Sequence, residues 1–408
     1  MLSRWARVGV LAWVLGGFCL PLSANTTAAS GGVNYRSHQL HPRQMPAVQL
    51  AQTDLSISRD PPSIPQPRSL RIALFLPISS ESFRQAAEAV GAGVHAAHER
   101  EPDGVEIHLV DSGDAAQDIA ERYRIAAEQA DLVIGPLSRS AVAAVAQAGG
   151  IAKPTIALTA PEVLPDTSLA MPAQMLVIGL AIEDEARQVA DWASHDNASR
   201  KAVVLHAGAA WQRRAAKAFE LQWSKQRREL RVVELAAADS LLNGRVLLQL
   251  KKELAEESTV IFAALDAQQA RQVRAVLGPR HPLYGTSQLN PVTLAGRGSA
   301  ERMTDMDGVR LLEIPWQLDP GHAMVAAYAR PANPAEPPPS ADMERLYALG
   351  IDAYRVAREV AAQQGEFELD GVTGRLAVQI DTRQGRFQRS TERAVYRDGG
   401  VIPLEAQR

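Results

Sequence analysis

The sequence predicts an α/β protein of two lobes, each a mostly parallel sheet with helices on both faces. Three observations carry this. Apolar runs such as "RIALFLP" (Arg71 to Pro77) read as strands buried on both faces. Strand-like and helix-like segments alternate, the pattern of parallel strands joined by crossover helices. The alternation then begins again in a second block of about equal size, which favours two lobes over one long sheet.

In the first block, "RIALFLP" is followed by a helical stretch with Phe83, Ala87, Val90 and Val94 on one face. "VEIHLVD" (Val105 to Asp111) is the next strand, and "AQDIAERYRIAAEQ" the next helix. "ADLVIGP", "SRSAVAAVAQAGGI" and "KPTIALTAP" continue as strand, helix and strand. The second block opens with the helix "EDEARQVADWASHD". It then runs through "RKAVVLHAG", "WQRRAAKAFELQWSKQ", "LRVVELAA", "GRVLLQLKKELAEE", "STVIFAAL", "AQQARQVRAVLGP" and "PLYGTS". A third section follows "DGVRLLEIPWQL", contains the helix "MERLYALGIDAYRVAREVAAQQ", and ends in strand-rich "GVTGRLAVQID" and "RAVYRDGGVIPL". Lobe 1 is expected at 70–178 plus about 285–350, and lobe 2 at 179–284 plus about 351–408. "RPANPAEPPPS" (Arg330 to Ser340) is too poor in apolar residues for a core and reads as a surface loop.

The 408 residues carry a net charge of −3, with a pI of about 6.3. No excess of positive charge is available for a nucleic-acid backbone. Arg4 and Arg7 precede an apolar run from Val8 to Leu22 and a small-residue exit, the form of a secretory signal over residues 1–24, with cleavage after Ala24 or as late as Ala29. Residues 25–69, rich in Ser, Pro and Gln, read as a disordered leader. Cys19, the one cysteine, lies inside the signal. Phe18 stands where a lipoprotein signal needs a small residue, so Cys19 reads as an apolar signal residue and not as a lipidation site. The mature chain then has no disulfide and no thiolate metal site.

Catalytic motifs are not found. Ser79 and Ser80 follow the first strand without a G-x-S-x-G elbow or a base placed by context, and no glycine-rich loop opens the next helix. His95 and His98 share a helix face without a third ligand, so no metal is expected. Asp111 reads as a cap for the helix after it. What remains is the edge where parallel strands end and ligands usually bind. Its candidates are Ser79, Ser80, Asp111, Ser112, Gly135, Ser138 and Thr159 in the first lobe, and Asp266, Thr286 and Ser287 in the second. These supply hydroxyls and backbone amides for hydrogen bonding, with no acid–base pair and no Arg or Lys to match the two aspartates.

Read in order, "IALFLPIS", "DLVIGPLSRSAV", "KPTIALT", "GLAIEDEARQVADWA", "AVVLHAGAAWQRRAAKAFELQW", "PLYGTSQ", "MDGVRLLEIPWQL", "RLYALGIDAYRVA" and "GVTGRL" resemble the C-terminal domain of the penicillin-binding protein activators, the LppC/LpoA family. The likeness spans about Leu70 to Leu404; "EIPW", "RLYALGIDAY" and "GVTGRL" together are its most specific part. It implies the type I periplasmic binding-protein fold, shared with Leu/Ile/Val-binding proteins. It also implies a non-catalytic protein of the periplasm, commonly attached to the inner face of the outer membrane as a lipoprotein. Such activators bind a bifunctional penicillin-binding protein (glycosyltransferase/transpeptidase) and stimulate peptidoglycan synthesis, with no cofactor. Longer members carry a helical-repeat domain before this one, for which residues 25–69 are too short.

Within the signatures, Pro315 and Trp316 are expected at a crossover between lobes, as hinge packing or partner contact. "RLYALGIDAY" reads as a core stripe, and "GVTG" as a turn. The alternative function is a solute receptor whose lobes close on an amino acid or a peptidoglycan fragment.

Overall fold

The computed structural model describes residues 69–162, 171–196, 201–238, 241–255, 259–298, 301–331, 339–380 and 385–404. The expected signal, Cys19 and almost all of the leader lie outside them, as does most of the 330–340 loop.

The first lobe runs β1 (Leu70–Leu76), α1 (Arg84–Arg100), β2 (Val105–Asp111), α2 (Ala116–Gln129), β3 (Leu132–Ile134), α3 (Arg139–Ala148), β4 (Thr155–Ala157) and β5 (Met175–Val177). Its sheet is parallel throughout, in the order β2-β1-β3-β4-β5. Strand alternation splits β1 between two cores. Ile72, Leu74 and Leu76 pack with residues of α1, while Ala73 and Phe75 pack with residues of α2 and α3. A run apolar at every position is needed because both faces are covered.

The second lobe runs α4 (Ile182–Asp196), β6 (Lys201–His206), α5 (Ala210–Lys225), β7 (Glu229–Glu234), the small hairpin β8 (Ala237–Ala238) and β9 (Leu241–Leu242), α6 (Gly244–Glu253), β10 (Val260–Ala264), α7 (Ala267–Leu277), β11 (Leu283–Gly285) and β12 (Arg310–Glu313). After it come α8 (Pro315–Leu318), α9 (Ala323–Ala326) and α10 (Ala341–Ala361). The chain ends in β13 (Glu366–Gly371), β14 (Gly374–Ile380), β15 (Gly385–Ser390), β16 (Glu392–Arg397) and β17 (Gly400–Pro403). The second sheet has the order β17-β16-β12-β11-β10-β6-β7, with β16 antiparallel to β12 of the parallel body and β17 antiparallel to β16.

The late boundaries expected from sequence are corrected here. Strand β12 belongs to the second sheet, not the first lobe. Helix α10 and the antiparallel sheet β13-β14-β15 contribute Tyr354, Phe367, Leu376 and Val378 to the core of the first lobe, not the second. The reason is that the chain passes between the sheets three times, at Ile178–Ala181, at Ile314–Pro315 and at Thr391, so consecutive late elements alternate between lobes.

Helix α10 reaches α1 through two glycines. A Cβ at Gly93 would stand 2.0 Å from the Tyr347 carbonyl oxygen, and one at Gly350 2.2 Å from that of Val90. The helices therefore touch backbone to backbone, and any side chain at either glycine would force them apart. Gly350 lies within "RLYALGIDAY", which gives that signature a packing cause.

Candidate functional site

At the carboxyl edge of the first sheet, Asp111 is the centre of a local network. Ser79 donates its N–H to Oδ1 (3.3 Å) and its hydroxyl to Oδ2 (2.7 Å), and the Gly113 N–H donates to Oδ1 (3.2 Å). Partial burial pushes the Asp111 pKa up. The bonds from Ser79 and Gly113, with the Arg122 charge 3.9 Å away, outweigh it and leave the pKa below the ordinary value. Asp111 thus ties two strand ends together and does not cap the next helix, whose N-cap is Ala115.

The other first-lobe candidates are mostly engaged by the backbone. Ser80 is buried and accepts from the Phe83 N–H (3.1 Å), while Ser112 is buried and donates to the Gly113 carbonyl (3.2 Å). Ser138 caps α3 by accepting from the Ala141 N–H (3.2 Å). Gly135 has φ +122°, and a Cβ there would lie 2.1 Å from the Phe75 carbonyl oxygen, so only glycine fits. Thr159 lies against the first crossover: a Cβ at Gly179 would be 2.6 Å from its Cα.

In the second lobe, Asp266 caps α7, accepting from the Gln269 N–H (2.8 Å). Thr286 and Ser287 are buried, so they do not present hydroxyls at a rim as the sequence suggested. Nor is the edge without cations. Arg139 donates to the Pro161 carbonyl (3.0 Å) and lies 3.8 Å from Glu183, which also receives Arg214 (2.8 Å). These arginines come from helices α3 and α5 and not from the strand ends themselves.

The most heavily bonded polar groups lie between the lobes. Arg345, on α10, is buried. Its Nε donates to Glu313 Oε1 (3.1 Å), and its Nη2 donates to Glu313 Oε2 (2.5 Å) and to the carbonyls of Ser287 (2.9 Å) and Asn290 (2.8 Å). Glu313 ends β12 and also accepts from Asn290 Nδ2 (2.7 Å) and the Ile314 N–H (2.9 Å). Glu185, on the first turn of α4, accepts from the Ser287 N–H (2.7 Å) and hydroxyl (3.0 Å). Burial pushes the Glu185 pKa up to about 7. The Ser287 bonds and the Arg345 charge oppose the rise, and the nearby Glu313 charge adds to it.

A second buried group pins the "GVTG" turn. Asp352, on α10, accepts from the N–H groups of Val372 (3.1 Å) and Thr373 (2.8 Å) and from the Thr373 hydroxyl (2.6 Å). Arg389, at the end of β15, donates to that hydroxyl oxygen (2.9 Å) and to the carbonyls of Ile178 and Gly179 (2.7 Å each). Burial lowers the Arg389 pKa to about 10. The Val372 carbonyl accepts from the Trp316 N–H (3.0 Å). The turn therefore bonds the second crossover directly and the first through Arg389. Pro315 opens α8 just past the second crossover, and the Trp316 indole is buried in the first-lobe core, 5.4 Å from the Tyr347 ring and under the Arg330 guanidinium at 4.5 Å.

Glu185, Glu313, Arg345, Asp352 and Arg389 were not singled out from sequence. Their signal was faint: Arg345 and Asp352 sit inside "RLYALGID", where two charges interrupt an apolar stripe. Chemically, Ser79 is bonded to a carboxylate and not to an imidazole. Among the described residues no group of three or more His, Cys, Asp or Glu is placed to hold a metal ion.

The sequence profile of the family described as "LppC putative lipoprotein" matches residues 62–399. The chain belongs to the LppC family. A search of curated proteins finds no match. Among solved structures, the LppC chain is similar to one described as "a putative branched-chain amino acid ABC transporter" from Chromobacterium violaceum. That pair is 32% identical with a TM-score of 0.64, covering 80% of this chain and all of the other. It is similar also to the C-domain of LpoA from Haemophilus influenzae, described as a regulator of PBP1A, at 19% identity and TM-score 0.61, covering 82% of this chain and all of that domain. Full-length LpoA from the same organism matches at 19% identity and TM-score 0.62; the LppC chain covers 59% of its length. The fold is that of type I periplasmic binding proteins. No helix among the described residues is long and apolar enough to cross a membrane.

Proposed function

We propose that this LppC chain is a non-catalytic periplasmic regulator of peptidoglycan synthesis, acting by binding and activating a bifunctional penicillin-binding protein. Family membership supports the regulatory class. The observation that carries the reading is the fate of the strand-end groups. Ser79, Ser80, Ser138, Asp266 and Ser287 spend their hydrogen bonds on the protein's own carboxylates and backbone. Meanwhile Arg345, on α10, binds Glu313 and the Ser287 and Asn290 carbonyls of the second lobe and opposes relative motion of the two, and Arg389 ties the first crossover to the "GVTG" turn. A receptor needs open polar groups and a hinge that yields; a docking protein needs a fixed shape.

The test pairs two measurements on the same preparation: capture of the purified synthase with its rate of glycan polymerisation, and a thermal-shift screen of amino acids and peptidoglycan fragments. Synthase capture with faster polymerisation is expected. The solute-receptor reading is favoured by the description of the Chromobacterium violaceum structure at 32% identity. It predicts instead that a ligand at a hundred times its Kd stabilises the fold by about 2.7 kcal/mol. Such a shift without synthase capture would replace the proposal.

A further inference from the structure

Away from the strand-end rim, the β16–β17 turn, Arg297 and residues 301–303 line a pocket of about 200 Å³. Its floor is apolar: Val292, Met303, Tyr396 and Val401 line it, and the last three are buried. Its polar lining is dominated by Arg297, Arg302 and Arg397. Arg297 is half-buried; its Nη2 donates to the Gln317 carbonyl (2.7 Å), and it forms no ion pair among the described residues. Arg302 donates to the Asp398 carbonyl (3.4 Å), and Arg397 is exposed with no side-chain partner among the described residues.

The acids nearby form no ion pair with these cations among the described residues; Glu313, whose charge reaches Arg297, is bonded to Arg345. Glu301 is paired with Arg271 (3.3 Å), which also holds Asp305 (2.8 Å). Asp307 accepts from the Gly399 N–H (2.8 Å). Asp398 lines the pocket, and its side chain forms no ion pair among the described residues. Arg297 is partly taken from water while Arg302 and Arg397 stay exposed, and the planar fork of each guanidinium matches a carboxylate or phosphate. The walls are fixed in advance: the Met303 N–H donates to the Gly399 carbonyl (3.0 Å), and the Tyr396 hydroxyl donates to the Leu289 carbonyl (2.6 Å). A Cβ at Gly399 would stand 2.7 Å from the Met303 nitrogen, so the turn is seated directly on the segment it faces.

We propose that this pocket binds a carboxylate carried on a short apolar body, with Arg297, Arg302 and Arg397 holding the oxygens and the buried Met303, Tyr396 and Val401 receiving the apolar part. The volume admits an end group of a few heavy atoms, such as the terminal alanine of a peptide. This stands independently of the regulatory reading.

Calorimetric titration of the full chain with butyrate, alanyl-alanine, alanyl-alanine amide and inorganic phosphate tests it. Butyrate and alanyl-alanine are expected to bind, and the amide, which lacks the carboxylate, is not. Arg302→Gln with Arg397→Gln, both at exposed positions that leave the core intact, should weaken binding by roughly tenfold or more, the loss expected for hydrogen bonds to a charged group. Binding of the amide as tight as that of the acid, binding unchanged in the double variant, phosphate binding without carboxylate binding, or no binding by any probe would each overturn the assignment.

Discussion

Two carboxylates in this protein receive the same pair of donors and respond in opposite ways. Asp111 accepts the N–H and the hydroxyl of Ser79; Glu185 accepts the N–H and the hydroxyl of Ser287. The Asp111 pKa lies below its ordinary value, whereas that of Glu185 is raised to about 7. The donors are alike, so surroundings decide. Asp111 keeps contact with water and has Arg122 nearby without a competing acid. Glu185 is buried and shares Arg345 with Glu313. One serine–carboxylate pair is a local tie at a rim; the other belongs to an ionic group shared between lobes.

The sharpest way to break this contrast is to remove the shared cation. Arg345→Met leaves Glu313 buried and unpaired and frees the carbonyls of Ser287 and Asn290. A loss of about 3–5 kcal/mol in urea unfolding is expected, as for other buried pairs deprived of one partner. Gly350→Ala, which drives a methyl into the Val90 carbonyl, should cost roughly 1–3 kcal/mol or more by the same measurement. If Arg345→Met is neutral, the buried group is not what holds the lobes.

The pH dependence sharpens the contrast further. A carboxyl whose folded pKa exceeds its unfolded value binds more protons in the folded state. Its contribution is full below about pH 4.3 and is lost as pH rises through about 7. Glu185→Gln keeps an acceptor for Ser287 and cannot ionise. Stability of the unchanged chain should therefore fall between about pH 4.3 and 7 relative to this variant, by roughly 4 kcal/mol at most. Parallel stability curves for the two chains across that window would show that Glu185 does not titrate there.

Much of the fold was legible because buried parallel strands leave a strong mark: apolar runs ending at Leu76, Ile134, His206 and Ala264 are read without ambiguity. The short β5 and the meander of β13 and β15 were missed, since "MLV" and the charged "EFELDG" and "GRFQRS" lack such runs. Strand ends could be located, but not the use of their side chains. A serine beside a strand end looks the same in sequence whether it caps a helix (Ser138), ties a carboxylate (Ser79) or is buried (Ser287). The interlobe groups were illegible for a further reason: Glu185, Glu313 and Arg345 come together only after the chain has crossed between the sheets.

The smallest effect belongs to the rim. Ser79 is exposed, so Ser79→Ala removes one hydroxyl donor from a carboxylate that keeps the backbone donors of Ser79 and Gly113 and the charge of Arg122. A change within about 0.5–1 kcal/mol is expected. The sign with pH is opposite to that at Glu185. Asp111 has a depressed folded pKa, so its contribution is present above the unfolded value and is lost as pH falls through the folded one. Asp111→Asn should therefore flatten the acid limb of the stability curve and leave the neutral limb as it was, whereas Glu185→Gln should do the reverse. Measuring both variants over one pH series separates rim from interlobe group by which limb moves. If both move the same limb, the two serine–carboxylate pairs lie in equivalent surroundings and the difference argued from burial and the second acid is wrong.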